Sequence, residues 1–148
     1  MSSDVSTEAP YVGALMRLGA RFTYGQILAG VMASGFDDIT PAHIGVFRYP
    51  SPEGQRPSDI ADKLHITKQS VNGLLDHLER SGYLAREPHP LDGRARVVRL
   101  TAKGRELDAT IVDQARRAEV SVLEVLGPER FAHLRGALTA LAEHTGEM

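Results

Sequence analysis

Apolar residues recur at helical spacing along most of this chain, and that spacing changes once. From about Pro10 to Ser34 the positions Val12, Leu15, Met16, Phe22, Ile27, Leu28, Val31 and Met32 run without an interior proline and close at Gly35. Glycine suits a left-handed C-terminal cap, so the run predicts one long helix. The glycines at 13, 19, 25 and 30 each cost about 1 kcal/mol against alanine inside a helix, a cost that close packing of another backbone would explain. Thr40-Pro41 supplies an N-cap and a first turn for a short second helix with Ile44, Val46 and Phe47, stopped by Pro50 and Pro52. Pro57 opens a third helix, whose Ile60, Ala61 and Leu64 face inward and whose Asp59, Asp62 and Lys63 are left to solvent; it ends around His65. Thr67 caps a fourth, where Val71, Leu74, Leu75 and Leu78 form one buried stripe before Gly82.

After Gly82 the pattern becomes β-prone. Tyr83-Leu84-Ala85-Arg86 and Arg96-Val97-Val98-Arg99-Leu100 flank two prolines and the turn pair Asp92-Gly93, which predicts a hairpin with a long basic tip. A fifth long helix follows Thr101 with Leu107, Ile111, Ala115, Ala118, Val122 and Val125, and Gly127-Pro128 breaks it. A last helix carries Phe131, Leu134, Leu138 and Leu141 at steps of three and four, a coiled-coil-like seam. The third and fourth helices are joined only by His65-Ile66-Thr67, the signature of a helix-turn-helix. With the hairpin behind it, the arrangement is a winged helix: a mainly α fold with a short β-hairpin wing, flanked by long N- and C-terminal helices. The expected division is a tail and first helix over residues 1–38, a winged lobe over 39–101 and C-terminal helices over 102–148.

Composition narrows the function. At 148 residues, 42% hydrophobic and 24% charged, the chain has the make-up of a soluble globular protein that buries a core. With no cysteine, disulfides, thiolate metal sites and thiol redox sensing are excluded, and a reducing compartment is favoured. The segment Met1 to Pro10 is polar and acidic, which reads as a frayed tail and not a signal peptide, and no apolar stretch is long enough for a membrane span. The expected location is therefore cytoplasmic. A net charge of −2 argues at first against a nucleic-acid partner, since phosphate binding needs a basic face. The excess acid lies near the two ends, however, and the stretch from Arg56 to Arg105 is net basic.

The residues themselves resemble the MarR family of bacterial regulators. The likeness rests on Pro57-Ser58-Asp59-Ile60-Ala61-Asp62-Lys63-Leu64, Ile66-Thr67-Lys68-Gln69-Ser70-Val71, Leu78-Glu79-Arg80-Ser81-Gly82-Tyr83-Leu84, Asp92-Gly93-Arg94 and Leu100-Thr101-Ala102-Lys103-Gly104. It covers about residues 40 to 105 by motif, and the flanking helices by order and length. The resemblance implies a homodimer on a pseudo-palindromic operator in double-stranded DNA, with one recognition helix per major groove and each wing reaching toward a minor groove. It implies dimerisation through the first, fifth and sixth helices, and often a small aromatic or phenolic effector between those helices and the winged lobe. Many relatives carry a long polar residue in the middle of the recognition helix where this chain has Asn72-Gly73, so a sequence preference does not transfer.

Candidate DNA contacts follow. Lys68, Gln69 and Asn72 lie on the polar face of the fourth helix near its N-terminus; Gln and Asn can bond adenine bidentately, and Lys can reach guanine or phosphate. Thr67 and Ser70 offer hydroxyls to phosphate, although Thr67 is equally explained as a cap. His77 is a weaker backbone contact, or a solvated histidine. Arg94, which follows the Asp-Gly turn, reads as a minor-groove or phosphate contact beside the plainer reading of a loop arginine paired with Asp92; Arg96 is second to it. The weak candidates for an effector cleft are Arg17, Arg21, Tyr24, His43 and Phe47, which could equally pack the junction. The histidines show no HxxxH or HExxH spacing, and no G-x-S-x-G or phosphate-binding glycine loop is present. Neither a cofactor nor a metal is expected. An enzyme would have to rest on Asp37 or Asp38 with His43, and carboxylates beside a helix start are more often caps. Against the leading reading, a regulator and not an enzyme, stands a protein-interaction module that uses the winged helix without DNA. Wing arginines beside a net-basic recognition unit favour DNA.

Overall fold

Helix α1 spans Val12–Ala33 in the computed structural model, which describes residues 10–48 and 50–148. The acidic tail expected before Pro10 lies outside the described residues. Gly35 adopts φ 99°, its N–H donates to the Met32 carbonyl at 3.0 Å, and the Phe36 N–H reaches the Val31 carbonyl at 3.3 Å. This is the left-handed cap expected from the sequence. Only the C-terminal third of α1 is buried, through Ile27 and Val31. Of its four glycines, Gly30 alone is packed closely: a Cβ there would fall 1.8 Å from the Gln114 side-chain oxygen of α5.

Helix α2 covers Pro41–Val46, α3 Pro57–Leu64 and α4 Lys68–Arg80. In the turn between α3 and α4, His65 takes a left-handed conformation at φ 53°, a position that glycine would fill at lower cost. Lys63 is not left to solvent as its polar character suggested. Its ammonium donates to the carbonyls of Arg48 at 3.0 Å and Pro50 at 2.9 Å, satisfying the chain end that leaves α2. Burial and the nearby Arg48 lower its pKa.

Strands β1 (Leu84–Pro88) and β2 (Arg96–Leu100) pair antiparallel, with Leu84 opposite Leu100 and Pro88 opposite Arg96. The hairpin begins one residue later than the sequence pattern suggested. The N–H of Tyr83 is already used, donating to Leu78 at 2.8 Å to close α4 behind Gly82. Pro88 is accommodated as the last strand residue, where a missing donor costs little. The chain ahead of α3 adds to the other edge of β2, since Gly54 donates to Val98 at 2.7 Å and Val98 to Gln55 at 2.9 Å.

Helix α5 runs Ala102–Leu126 and α6 Pro128–Thr145, separated by Gly127. One core joins the lobe to the long helices: Ile27 and Val31 of α1, Ile44 and Phe47, Ile60, Val71, Leu75 and Leu78, Leu84, Val98 and Leu100, then Leu107 and Ile111 of α5. Each such side chain contributes roughly 1.5–3 kcal/mol on burial. The core stops short of α6, which has no buried residue. Among the described residues, no helix is long and apolar enough to cross a membrane.

Candidate nucleic-acid interface

Helix α4 presents its outer face because its inner one is fully used. Val71, Leu75 and Leu78 are buried without residue, and Lys68, Gln69, Ser70, Asn72 and Gly73 are all exposed on the other side. The helix starts with a satisfied cap: Thr67 Oγ1 accepts from the Ser70 N–H at 3.0 Å and donates to the Ser70 hydroxyl at 2.9 Å. The Thr67 hydroxyl is thus spent within the helix end, and the Ser70 proton is left uncommitted.

The wing tip is ordered by its own short-range bonds. His89 donates its N–H to the Ala95 carbonyl at 2.8 Å, and its Nδ1 accepts from the Leu91 N–H at 3.0 Å. Asp92 Oδ1 accepts from the backbone N–H of Arg94 at 3.1 Å, an Asx turn. Asp92 therefore holds the Arg94 backbone, and the guanidinium of Arg94 forms no ion pair among the described residues. Arg96 is likewise exposed and unpaired there.

The acidic residues of α4 are neutralised from the strand beside it. Arg86 of β1 bonds Asp76 and also Glu79, the latter at 2.8 Å, so the carboxylates that would repel phosphate are held in a shared cluster. This device was invisible in the sequence: Arg86 sits on a different element, and only the packing of β1 against α4 brings it there. The same holds for Glu53, whose carboxylate accepts from the Leu100 N–H at 2.6 Å and faces Arg99, tying the base of the wing to the chain before α3.

His77 is turned toward the chain itself. It lies half-buried at the far end of α4, donates from Nε2 to the Asp38 carbonyl at 2.9 Å and stacks on the His43 ring at 4.2 Å between centroids. His43 is buried; its Nδ1 accepts from the Thr40 N–H at 3.0 Å, closing the N-terminus of α2 as a capping box. Burial first, and then the neighbouring His77, lower the pKa of His43, against an opposing pull from Asp38. Asp38 also accepts from the Tyr83 hydroxyl at 2.5 Å; burial and this carboxylate raise the Tyr83 pKa. The acid–base pair considered for an enzyme is thereby occupied in structural bonds.

The five effector candidates divide into two groups. His43 and Phe47 belong to the packed interior, whereas Arg17, Arg21 and Tyr24 are exposed on α1. Arg48, not singled out from the sequence, lies over the Tyr24 ring at 4.2 Å from its centroid, a cation–π contact linking α1 to the end of α2. A separate cavity of about 490 Å³ opens between Arg48, Lys63, His65 and the C-terminal Glu147. Among the described residues no three His, Asp or Glu side chains converge as a metal site would need.

Comparison with known proteins agrees with this architecture. The sequence profile of the MarR family matches residues 37–95. The transcriptional regulator PecS of Dickeya dadantii is 31% identical over 97 residues, covering 66% of this chain and 58% of PecS. The matched stretches span between 53% and 58% of the length of the first three curated relatives. Among solved structures, the transcriptional repressor CouR bound to a 23-mer DNA duplex superposes with a TM-score of 0.70 at 30% identity, covering 89% of this chain and 92% of CouR. MarR itself superposes with a TM-score of 0.78 at 22% identity, over 99% of this chain and 97% of MarR, a likeness of fold.

Proposed function

Since the chain belongs to the MarR family of winged helix-turn-helix transcriptional regulators, we propose that it acts as a homodimeric repressor on a pseudo-palindromic operator. Each protomer lays α4 in a major groove and extends its wing toward the adjacent minor groove. The observation that carries this reading is one of charge. The outer face of α4 offers Lys68, Gln69, Ser70 and Asn72, its acids are engaged by Arg86, and the ordered wing tip holds out Arg94 and Arg96, which form no ion pair among the described residues. The relative solved with a DNA duplex, 30% identical, supports it. In this docking Gln69 and Asn72 read base edges, Lys68 reaches guanine or phosphate, and Ser70 and Thr67 approach the backbone. His77 acts as a prop through Asp38 and His43. The dimer forms through α1, α5 and α6, whose Leu15, Phe22, Val120, Leu134, Leu138 and Leu141 stand exposed in one protomer. A small aromatic or phenolic effector would release the operator by binding where α1 meets the lobe, against Arg17, Arg21 and Tyr24 with His43 and Phe47 behind them.

Binding isotherms at several salt concentrations test the DNA reading, on a duplex selected from a random library and on a scrambled one. Base contacts discriminate at roughly 1–3 kcal/mol each and leave the salt slope unchanged, whereas phosphate contacts are sequence-blind and salt-sensitive. Gln69→Ala and Asn72→Ala should relax preference at particular positions. Arg94→Ala should weaken both duplexes and lower the salt slope by about one; if it acts in a narrow minor groove, selectivity for A·T-rich steps is lost as well. All three variants binding the selected duplex within twofold of the parent would overturn this docking.

A further inference from the structure

Gly73 stands at the middle of α4, where nothing in the chain's own fold asks for glycine. Its φ is not positive, and a Cβ built there meets no atom of the described residues within 4 Å. A helix-interior glycine is costly relative to alanine, because its backbone loses more freedom on folding. The other helical glycines sort by what covers them. Gly30, Gly45 and Gly104 meet neighbours within the chain, while Gly13, Gly19, Gly25, Gly73 and Gly136 meet none. Four of the latter lie on α1 and α6, the helices whose exposed apolar faces await a second copy. Gly73 is the fifth, and it lies on α4.

Its position on that helix is specific. At 100° per residue, Gln69, Gly73, Asp76 and Arg80 follow one another at steps of four, three and four along the ridge opposite the buried Val71, Leu75 and Leu78. Gly73 is therefore the low point of the outermost ridge. Gln69 precedes it by one turn, Asn72 flanks it, and Asp76, tied to Arg86, follows. A ridge with a polar side chain on either side of a bare backbone can sit closer to a flat surface than a continuous ridge of side chains.

Building on the DNA-binding reading above, we infer that Gly73 is a specificity-determining position, where the bare helix backbone seats against base-pair edges on the floor of the major groove. The missing side chain lets α4 enter deeply enough for the short side chains of Asn72 and Gln69 to reach bases. A sequence-independent complex, held by phosphate contacts alone, leaves the helix further out and does not need the gap.

The test compares the full-length protein with Gly73→Ala and Gly73→Ser on a duplex enriched from a random library by the parent protein and on a scrambled duplex, alongside thermal denaturation. Open space around the site means that Gly73→Ala folds and melts a few degrees higher, roughly 2–8 °C. The same variant loses about tenfold or more in affinity for the enriched duplex, Gly73→Ser loses at least as much, and affinity for the scrambled duplex changes less than twofold. Gly73→Ala binding the enriched duplex within twofold of the parent overturns the inference and leaves the DNA reading standing. An equal loss on both duplexes also overturns it. A parent protein that enriches no sequence removes the DNA reading itself, and this inference with it.

Discussion

The winged lobe and the long helices solve the same problem differently. Within the lobe, every apolar stripe finds a partner in the same chain: Val71, Leu75 and Leu78 of α4 meet Ile60 of α3, Leu84 and Val98 of the hairpin and Ile44 of α2 in one core. Along α1 the N-terminal half leaves Val12, Leu15, Leu18 and Phe22 exposed, and α6 leaves Leu134, Leu138 and Leu141 exposed. Exposed apolar stripes of this kind make these helices the candidate interface of the proposed dimer. The lobe is complete within one chain, and the helices would be half of the proposed dimer. Besides the core they share, a small contact at the start of α5 joins them. There Thr101 donates its hydroxyl to the Gly82 carbonyl at 2.6 Å, Lys103 donates to Ser81 at 2.8 Å, and Gly104 lies flat against the Tyr83 carbonyl. The turn that ends α4 is thereby fastened to the first turn of α5.

Breaking that joint should have the largest effect. A Cβ on Gly104 would lie 1.8 Å from the Tyr83 carbonyl oxygen, a backbone atom that cannot rotate away. Gly104→Ala should therefore destabilise by about 3 kcal/mol or more, at the upper end of what overpacking costs, measured by urea denaturation. The contrast is Gly30→Ala, where the obstacle is the flexible end of Gln114 and a cost nearer 1 kcal/mol is expected. Equal stabilities for the two variants would mean that α5 is free to move relative to the lobe, and the joint would lose its meaning.

The second prediction separates the two regions outright. Leu134→Glu with Leu138→Glu places two charges on the exposed seam of α6, a helix with no buried residue. A charge desolvated at an apolar interface without a partner is strongly unfavourable. Sedimentation should show the parent as a dimer and the double variant as a monomer at micromolar concentration, with association weakened by about 100-fold or more. The lobe in the variant should keep a cooperative thermal transition. A parent protein that sediments as a stable monomer would remove the comparison altogether.

Much of this was legible in the chain, and the exceptions share a cause. The elements, the Gly35 and Gly82 endings, the Thr67 cap and the wing turn are local: each is decided by residues within a few positions, and a linear pattern carries them. The exposure of Lys68, Gln69 and Asn72 follows from the same periodicity. What the pattern does not carry are bonds between distant elements. Lys63 looks like a solvated helix residue until the chain end behind α2 folds under it, and Arg86 looks like a strand residue until α4 packs alongside. His43 and His77, separated by a whole helix-turn-helix, stack only because α2 crosses α4. For the seams of α1 and α6 the pattern predicts more burial than one chain displays, a difference that the proposed dimer would account for.

The smallest effect is a pH dependence that belongs to the lobe alone. His43 is held neutral, with its Nδ1 lone pair accepting the Thr40 N–H. Protonating Nδ1 removes that acceptor, leaves the first turn of α2 with an unmatched donor and sets a charge in a buried site against His77. Burial and His77 lower the folded-state pKa below the ordinary 6.5, so the unfolded chain binds the proton more readily. Wherever the unfolded state binds more protons, stability rises with pH. This contribution is therefore full above about pH 6.5 and is lost as the pH falls through that value and on through the lower folded-state pKa. His43→Asn keeps an acceptor near the Nδ1 position but cannot be protonated, so it should melt with a shallower pH dependence between pH 5 and 7.5 than the parent. In the monomeric α6 variant the parent's pH slope should persist, because every group involved lies on α2, α4 or the Asp38 segment. Identical slopes for the parent and His43→Asn would show that the stacked pair carries no linkage. A slope that disappears with the dimer would place the responsive groups on the long helices instead.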